Sequence, residues 1–277
     1  MKHSATLLFA SGMIAAIAFA SCSADRKADN DTVTFKKIEA TKAYSLKGSA
    51  VDFETPADQS YGLQVQLLMP ENMFGKDIAA LRDSILDAAF DTTGTDLNTM
   101  IERTAAKISR ENGYTLADTV LPDSVVRDTP RVTARFNGFY SIEGDVETLS
   151  ASILSYAVTV SYYMPSAAHG MYNIRYINYD LTAGKVLTLA DVFTAEGIAA
   201  LPEIIRDYAV RMEASIGSTD ITEIPCGGNF YLTPDSEIVF SYQPYEVASY
   251  AQGEIQIPIP AYILSQYLTP AALSLLL

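Results

Sequence analysis

Tryptophan is absent from this chain, histidine occurs twice and cysteine twice, and each scarcity closes off a class of chemistry. His3 lies in the first few residues, so His169 is the only imidazole in the body of the chain. One His and one or two Cys are poor material for zinc, which takes four donors. No G-x-S-x-G elbow and no D-x-[DN]-x-[DN]-G loop occurs, which removes two common hydrolase and calcium signatures. Basic residues are also in short supply: 19 Lys and Arg stand against 33 Asp and Glu, a formal net charge of −14. Binders of nucleic acid need a basic footprint, so no nucleic-acid partner is expected. The one extended apolar run, Leu7 to Ala20, is shorter than a membrane span.

What the N-terminus does contain is an address. Lys2 precedes the apolar run, and Phe19-Ala20-Ser21 leads to Cys22. A basic start, a short apolar core and small residues before a cut form a secretory signal peptide, assigned here to residues 1–21. A cysteine immediately after it is the bacterial lipoprotein pattern, so Cys22 is the expected lipidation site and the lipid the expected link to a membrane. Several acyl chains on one residue anchor stably. Ser23 in place of an aspartate points to the outer membrane, with the periplasmic or surface face left open. The leader holds no acidic residue, so its removal leaves the charge balance still more acidic. Once Cys22 is lipidated only Cys226 remains, and no disulfide within the chain is available to support the fold.

Residues 22–50 are polar and weakly patterned and read as a flexible tether. A portion of strand and helices over 51–149 follows. Gly62 to Met69 alternates as a half-buried strand, expected to stop at Pro70. Ile78, Leu81, Ile85, Leu86 and Phe90 make a helical stripe over Lys76–Phe90, and a second helix runs from Asp96 to about Asn112. Residues 114–135 read as a partly helical excursion. Residues 150–277 form the C-terminal domain, packed with the preceding portion as one unit. It holds strands over Ile153–Met164, Met171–Leu181, Phe230–Leu232, Glu237–Gln243 and Glu254–Ile259. A helix over Leu201–Met212 has Pro202 in its first turn, and Pro258 marks an edge strand. Residues 260–277 close the chain as a helix. Consecutive antiparallel strands with several flanking helices make an α+β fold.

The segment Ala168-His169-Gly170, the step Asp180-Leu181-Thr182-Ala183-Gly184-Lys185 and Thr188-Leu189-Ala190-Asp191-Val192-Phe193 stand in a fixed order. Phe230-Tyr231-Leu232-Thr233, Gln243-Pro244-Tyr245-Glu246 through Gly253, and Ile255 to Pro260 follow. The ordered set resembles an RsiV-like C-terminal domain of unknown function in exported bacterial proteins, best understood in lysozyme-sensing anti-sigma factors. The resemblance covers roughly residues 150–267. One departure is Ser166-Ala167-Ala168, where relatives carry glycines before the histidine. The resemblance implies a non-catalytic envelope protein that binds a lysozyme-like muramidase or a cell-wall glycan. Cationic lysozyme and an anionic chain would associate fast, with strong salt dependence.

The candidate binding residues are His169, Tyr172, Tyr176, Tyr179, Tyr242, Tyr245, Glu246 and Tyr250. No catalytic residue, metal or cofactor is expected. A Cys226–His169 pair would need a contact that spacing does not supply. A glycosidase built on Glu246 with Asp235 or Glu237 would need two carboxylates at a set separation. Tyr172 and Tyr176 share a strand face, read as core with hydroxyls reaching the rim, and Tyr245 and Tyr250 as packing their own loop with hydroxyls on backbone. An envelope hydrolase acting on peptidoglycan or polysaccharide, and an assembly lipoprotein with a membrane-protein partner, are the competing functions.

Overall fold

The structure, a computed structural model, describes residues 15–18, 32–46, 60–92, 96–112, 114–116, 138–164, 167–211 and 228–277. Cys22, Cys226, most of the expected leader and all but the first three residues of 114–135 lie outside the described residues. Two mostly antiparallel sheets with flanking helices give the α+β class expected. The larger sheet runs β1 (Ala15–Ala18), β2 (Thr32–Leu46), β3 (Ser60–Met73), β5 (Gly138–Leu149), β6 (Ile153–Tyr163), β7 (Met171–Asp180), β8 (Lys185–Leu187). A short β4 (Tyr114–Leu116) pairs with the far end of β2. The β3–β5 pair is parallel, so a crossover is required. Helices α1 (Ala79–Phe90) and α2 (Leu97–Asn112) lie within it.

Those helices cover one face of the sheet because their stripes demand it. Leu81 and Ile85 of α1 and Ile101, Ala105 and Ile108 of α2 are buried against Leu63, Val65 and Leu67 of β3. Leu154, Tyr156 and Val158 of β6 complete that core, as their alternation predicts. Each such aliphatic side chain contributes roughly 1.5–3 kcal/mol relative to exposure. A second core lies around the smaller sheet, ordered β11 (Ile255–Pro260), β10 (Glu237–Tyr242), β9 (Phe230–Leu232). Helices α3 (Leu189–Val192), α4 (Ala195–Arg211) and α5 (Pro270–Leu276) pack around it. Pro258 does sit in an edge strand, β11.

Several expectations need correction. The stretch expected as a tether contains β2, with Val33 and Phe35 fully buried. Lys36, Lys37 and Glu39 interrupt the apolar alternation there and disguise it. Pro70 does not stop β3, because β3 bulges beside it, opposite the Thr34–Phe35 step of β2. Thr34 pairs with Asn72 and Phe35 with Pro70, leaving Glu71 as the extra residue. Residues 114–116, assigned to a helical excursion, are strand. Pro202 lies inside α4, not in its first turn, because the helix starts at Ala195. The closing segment is a 3-10 turn (Ser265–Tyr267) and then α5, capped by the Thr269 hydroxyl, which accepts from Ala272 N–H. The expected boundary at 149/150 falls inside the β5–β6 hairpin, where Leu149 pairs with Leu154. Strands β6 and β7 therefore belong to the large sheet.

Where the two sheets meet, side-chain amides and hydroxyls stand in for missing strands. Gln243 Oε1 accepts the Ile174 N–H at 2.9 Å, and its Nε2 donates to the Ile174 carbonyl at 2.8 Å. Asn229 treats the same edge alike, accepting from Tyr176 N–H and donating to the Ile174 carbonyl. In return, buried Asn178 and Ser155 of the large sheet serve the edge of β9. Asn178 Nδ2 donates to the Phe230 carbonyl, its Oδ1 accepts from Leu232 N–H, and Ser155 Oγ donates to the Leu232 carbonyl. Buried polar atoms are tolerated only when bonded this way.

Candidate functional site

Two of the segments that carry the family resemblance meet at the surface, through residues 76 apart in sequence. His169 follows β6 in the loop before β7, and its ring stacks on Tyr250 with centroids 3.9 Å apart and planes 19° from parallel. Its Nε2 lies 3.1 Å from the Tyr245 hydroxyl, and its Nδ1 lies 2.9 Å from the Gly170 carbonyl. With a proton on Nδ1, the imidazole donates to the carbonyl and accepts from the tyrosine. Tyr245 and Tyr250 also face each other, with centroids 5.7 Å apart.

Local backbone explains how the loop presents these rings. Tyr245 has φ of +71°, the left-handed region that a bulky residue rarely adopts. Its N–H donates to the Ala248 carbonyl, and Glu246 N–H donates to the Gln243 carbonyl. The Glu246 carboxylate folds back to accept from Gln243 N–H at 2.8 Å. The Tyr245 ring is left 58% exposed. Gly253 closes the loop at φ of +73°, and a Cβ there would sit 3.2 Å from the Tyr172 hydroxyl. That hydroxyl accepts from Glu254 N–H at 2.8 Å.

The eight sequence candidates thus separate into four groups. His169, Tyr245 and Tyr250 converge on the surface. Tyr245 and Tyr250 were read as packing their own loop, but their partner is an imidazole from across the fold. Tyr172 and Tyr176 are half-buried beneath the 254–256 segment. The Tyr176 hydroxyl donates to Glu254 Oε1 at 3.0 Å and accepts from Gln256 Nε2 at 3.2 Å. Tyr179 and Tyr242 are wholly buried, so they offer no surface to a ligand, and the Tyr179 hydroxyl donates to the Asp77 carbonyl. Glu246 serves its own turn.

Sequence reasoning missed an acidic cluster where the sheets meet. Burial and then the negative charges of Glu254 and Asp145 push the Glu147 carboxyl above the ordinary range. Tyr231 is pushed up to about 12 by burial first, then by Glu147, Glu254 and Glu237. Tyr176 packs against Tyr231 with centroids 4.6 Å apart and planes tilted by 35°, and is raised by burial and by Glu254. Glu147 stands on β5, Tyr176 on β7, Tyr231 on β9, and Glu254 just ahead of β11. No local motif links such residues, so no sequence signal marks them. Among the described residues no group of three His, Cys, Asp or Glu side chains is placed to hold a metal ion. No helix among them is long and apolar enough to cross a membrane.

Residues 190–262 match a family described as Protein of unknown function (DUF3298). That span includes Tyr245 and Tyr250 and stops short of His169. Among solved structures, a member of the DUF3298 family from Bacteroides fragilis superposes with a TM-score of 0.61 at 19% identity, over 87% of this chain and 95% of that one. A DUF3298 family protein from Pseudomonas aeruginosa gives a TM-score of 0.55 at 13% identity, over 86% of this chain and 96% of that one. Comparison with curated proteins finds no match. The chain is therefore similar to the DUF3298 family over residues 190–262 and shares the overall fold of two DUF3298 family proteins.

Proposed function

We propose that this chain is a non-catalytic, lipid-anchored binding protein of the cell envelope, held at Cys22 and presenting His169, Tyr245 and Tyr250 to a lysozyme-like muramidase. The observation that carries this reading is the three-ring surface, with His169 and Tyr245 exposed and Tyr250 half-buried, assembled from two distant segments and set on a left-handed residue. Strained backbone of this kind persists where the surroundings hold it, and it concentrates at functional sites. Tyrosine provides large contact area at low entropic cost. The partner is chosen by the RsiV-like resemblance and by charge, since a net −14 favours a cationic protein. Flat, exposed rings also suit a cell-wall glycan, which is the second reading of the same surface. A hydrolase reading would rest on the crowded pair Glu147 and Glu254. Glu254 is committed to the hydroxyls of Tyr176 and Ser241, which supports a structural clamp.

Calorimetric titration of the full chain in neutral detergent with hen lysozyme, at low and high salt, tests the proposal. Saturable submicromolar binding that survives moderate salt and weakens by about tenfold in Tyr250→Ala is expected. Absence of binding removes the muramidase, and the same titration with soluble peptidoglycan fragments then decides the glycan reading.

A further inference from the structure

Helices α1 and α2 cover the inner face of the large sheet, and the small sheet packs on its outer face against β6, β7 and the end of β5. A groove of about 340 Å³ crosses the part left open by the described residues, from β2 to β6. Leu68 of β3 and Ala157 of β6 give it apolar surface, and Glu143, Asp145 and Glu147 of β5 line it with carboxylates. Lys37, a cation on its rim, is drawn aside into an ion pair with Glu39. A bulge adds to this crowding. Val146 pairs with Tyr156 and Thr148 with Ser155, so Glu147 is the extra residue and has no opposite number on β6.

We propose that this groove docks an extended segment of a cationic partner protein, taking up its lysine or arginine side chains. The chemistry matches part by part. Lysine and arginine lay an aliphatic stem along apolar surface and keep the charged head at a polar edge. Leu68 and Ala157 receive the stem, and the three carboxylates receive the head. The unpaired position of Glu147 leaves its carboxylate free of the ladder geometry that fixes its neighbours. Glu147 is also held above its ordinary range by burial, Glu254 and Asp145, a repulsion that an arriving cation relieves. The site is distinct from the three-ring surface and does not depend on the reading given to it.

Titration of the full chain in neutral detergent with a short labelled oligolysine peptide tests this. Combined Glu143→Gln, Asp145→Asn and Glu147→Gln should weaken binding by about tenfold or more. The control combination Glu71→Gln, Asp83→Asn and Asp235→Asn removes the same formal charge elsewhere and should change it by less than about twofold. Thr159→Lys, which adds an ammonium to the groove lining while leaving the acids in place, should reproduce the loss. Tyr245→Ala should bind oligolysine like the unaltered chain. Equal weakening by the control combination, unchanged binding in the groove combination, or unchanged binding in Thr159→Lys would overturn the proposal.

Discussion

The Gln243 side chain pairs with both backbone groups of Ile174, at 2.9 and 2.8 Å, as a neighbouring strand would. It thereby ends the large sheet and fixes the 243–253 loop against β7 in one contact. Gln243→Ala removes both partners at once. The Ile174 carbonyl keeps Asn229, but leaving the Ile174 N–H unmet should cost about 1–3 kcal/mol, read as a lowered denaturation midpoint. Gln243→Glu keeps the acceptor for Ile174 N–H but sets a carboxylate oxygen against the carbonyl. It should be destabilised at neutral pH and recover on acidification. An unchanged midpoint in Gln243→Ala would show that the edge is held by Asn229 alone.

Legibility follows the range of the forces. Helices α1 and α2 and strand β6 can be read because their inner faces repeat at 3.6 or 2 residues, and Ile85, Ile101 and Val158 are buried as that spacing requires. The resemblance drew attention to His169, Tyr245 and Tyr250 separately. Their stacking was not legible, because nothing in either segment specifies the other. Asn178, Asn229 and Gln243 were missed as positioning residues for the same reason. Their partners lie on other strands, and polar side chains in turn-rich sequence look like solvent-facing ones. Tyr179 and Tyr242 were misjudged because a tyrosine on a strand reads alike whether its hydroxyl reaches water or a buried carbonyl.

Gly144 and Tyr156 make a matched pair in the core. A Cβ on Gly144 would fall 2.5 Å from the Tyr156 hydroxyl oxygen and 2.7 Å from a Leu67 methyl. That hydroxyl is buried without a hydrogen-bond partner among the described residues, and the Leu68 backbone approaches it without bond geometry. Gly144→Ala should therefore cost about 1–3 kcal/mol through overpacking. Tyr156→Phe deletes an unsatisfied polar atom and should leave stability unchanged or raise it. The double variant should recover part of the Gly144→Ala loss. Additive behaviour in the cycle would mean that the clash is with Leu67 only.

Two carboxylates give opposite dependences on pH. Asp191 closes a capping box with Thr188 and pairs with Lys185, whose hydrogen bond leads the causes that hold its pKa down to about 2. Its stabilisation is present above the unfolded value and disappears as pH falls through the folded one. Asp191→Asn should then lower the midpoint at neutral pH by the equivalent of about 1 kcal/mol, the scale of a lost cap, and converge with the unaltered chain in strong acid. Glu147 is raised, chiefly by burial, so its charged form is disfavoured in the fold. Its favourable contribution exists at low pH and is lost as pH rises through the raised value. Glu147→Gln should be the more stable protein at neutral pH, with the advantage vanishing below about pH 4. Thermal midpoints across that range distinguish the two signs.

Tyr245 offers a way to separate stability from binding. A left-handed backbone at a non-glycine residue costs roughly 1–2 kcal/mol, and φ of +71° places Tyr245 there. Its ring is 58% exposed, so the burial it contributes in return is small. Tyr245→Gly keeps the backbone without the Cβ penalty and should melt at or above the unaltered chain, while Tyr245→Ala should melt below the glycine variant by the equivalent of about 1 kcal/mol. Both lose the hydroxyl that faces His169 Nε2 and the ring beside Tyr250. If the three-ring surface is the contact, both should bind lysozyme or glycan about tenfold more weakly, so the glycine variant would gain or hold stability while losing affinity. That opposition is the mark of a residue kept for its contact. Should Tyr245→Gly lose stability and leave binding intact, the ring would be a packing element of the loop, and the contact surface would have to be sought elsewhere.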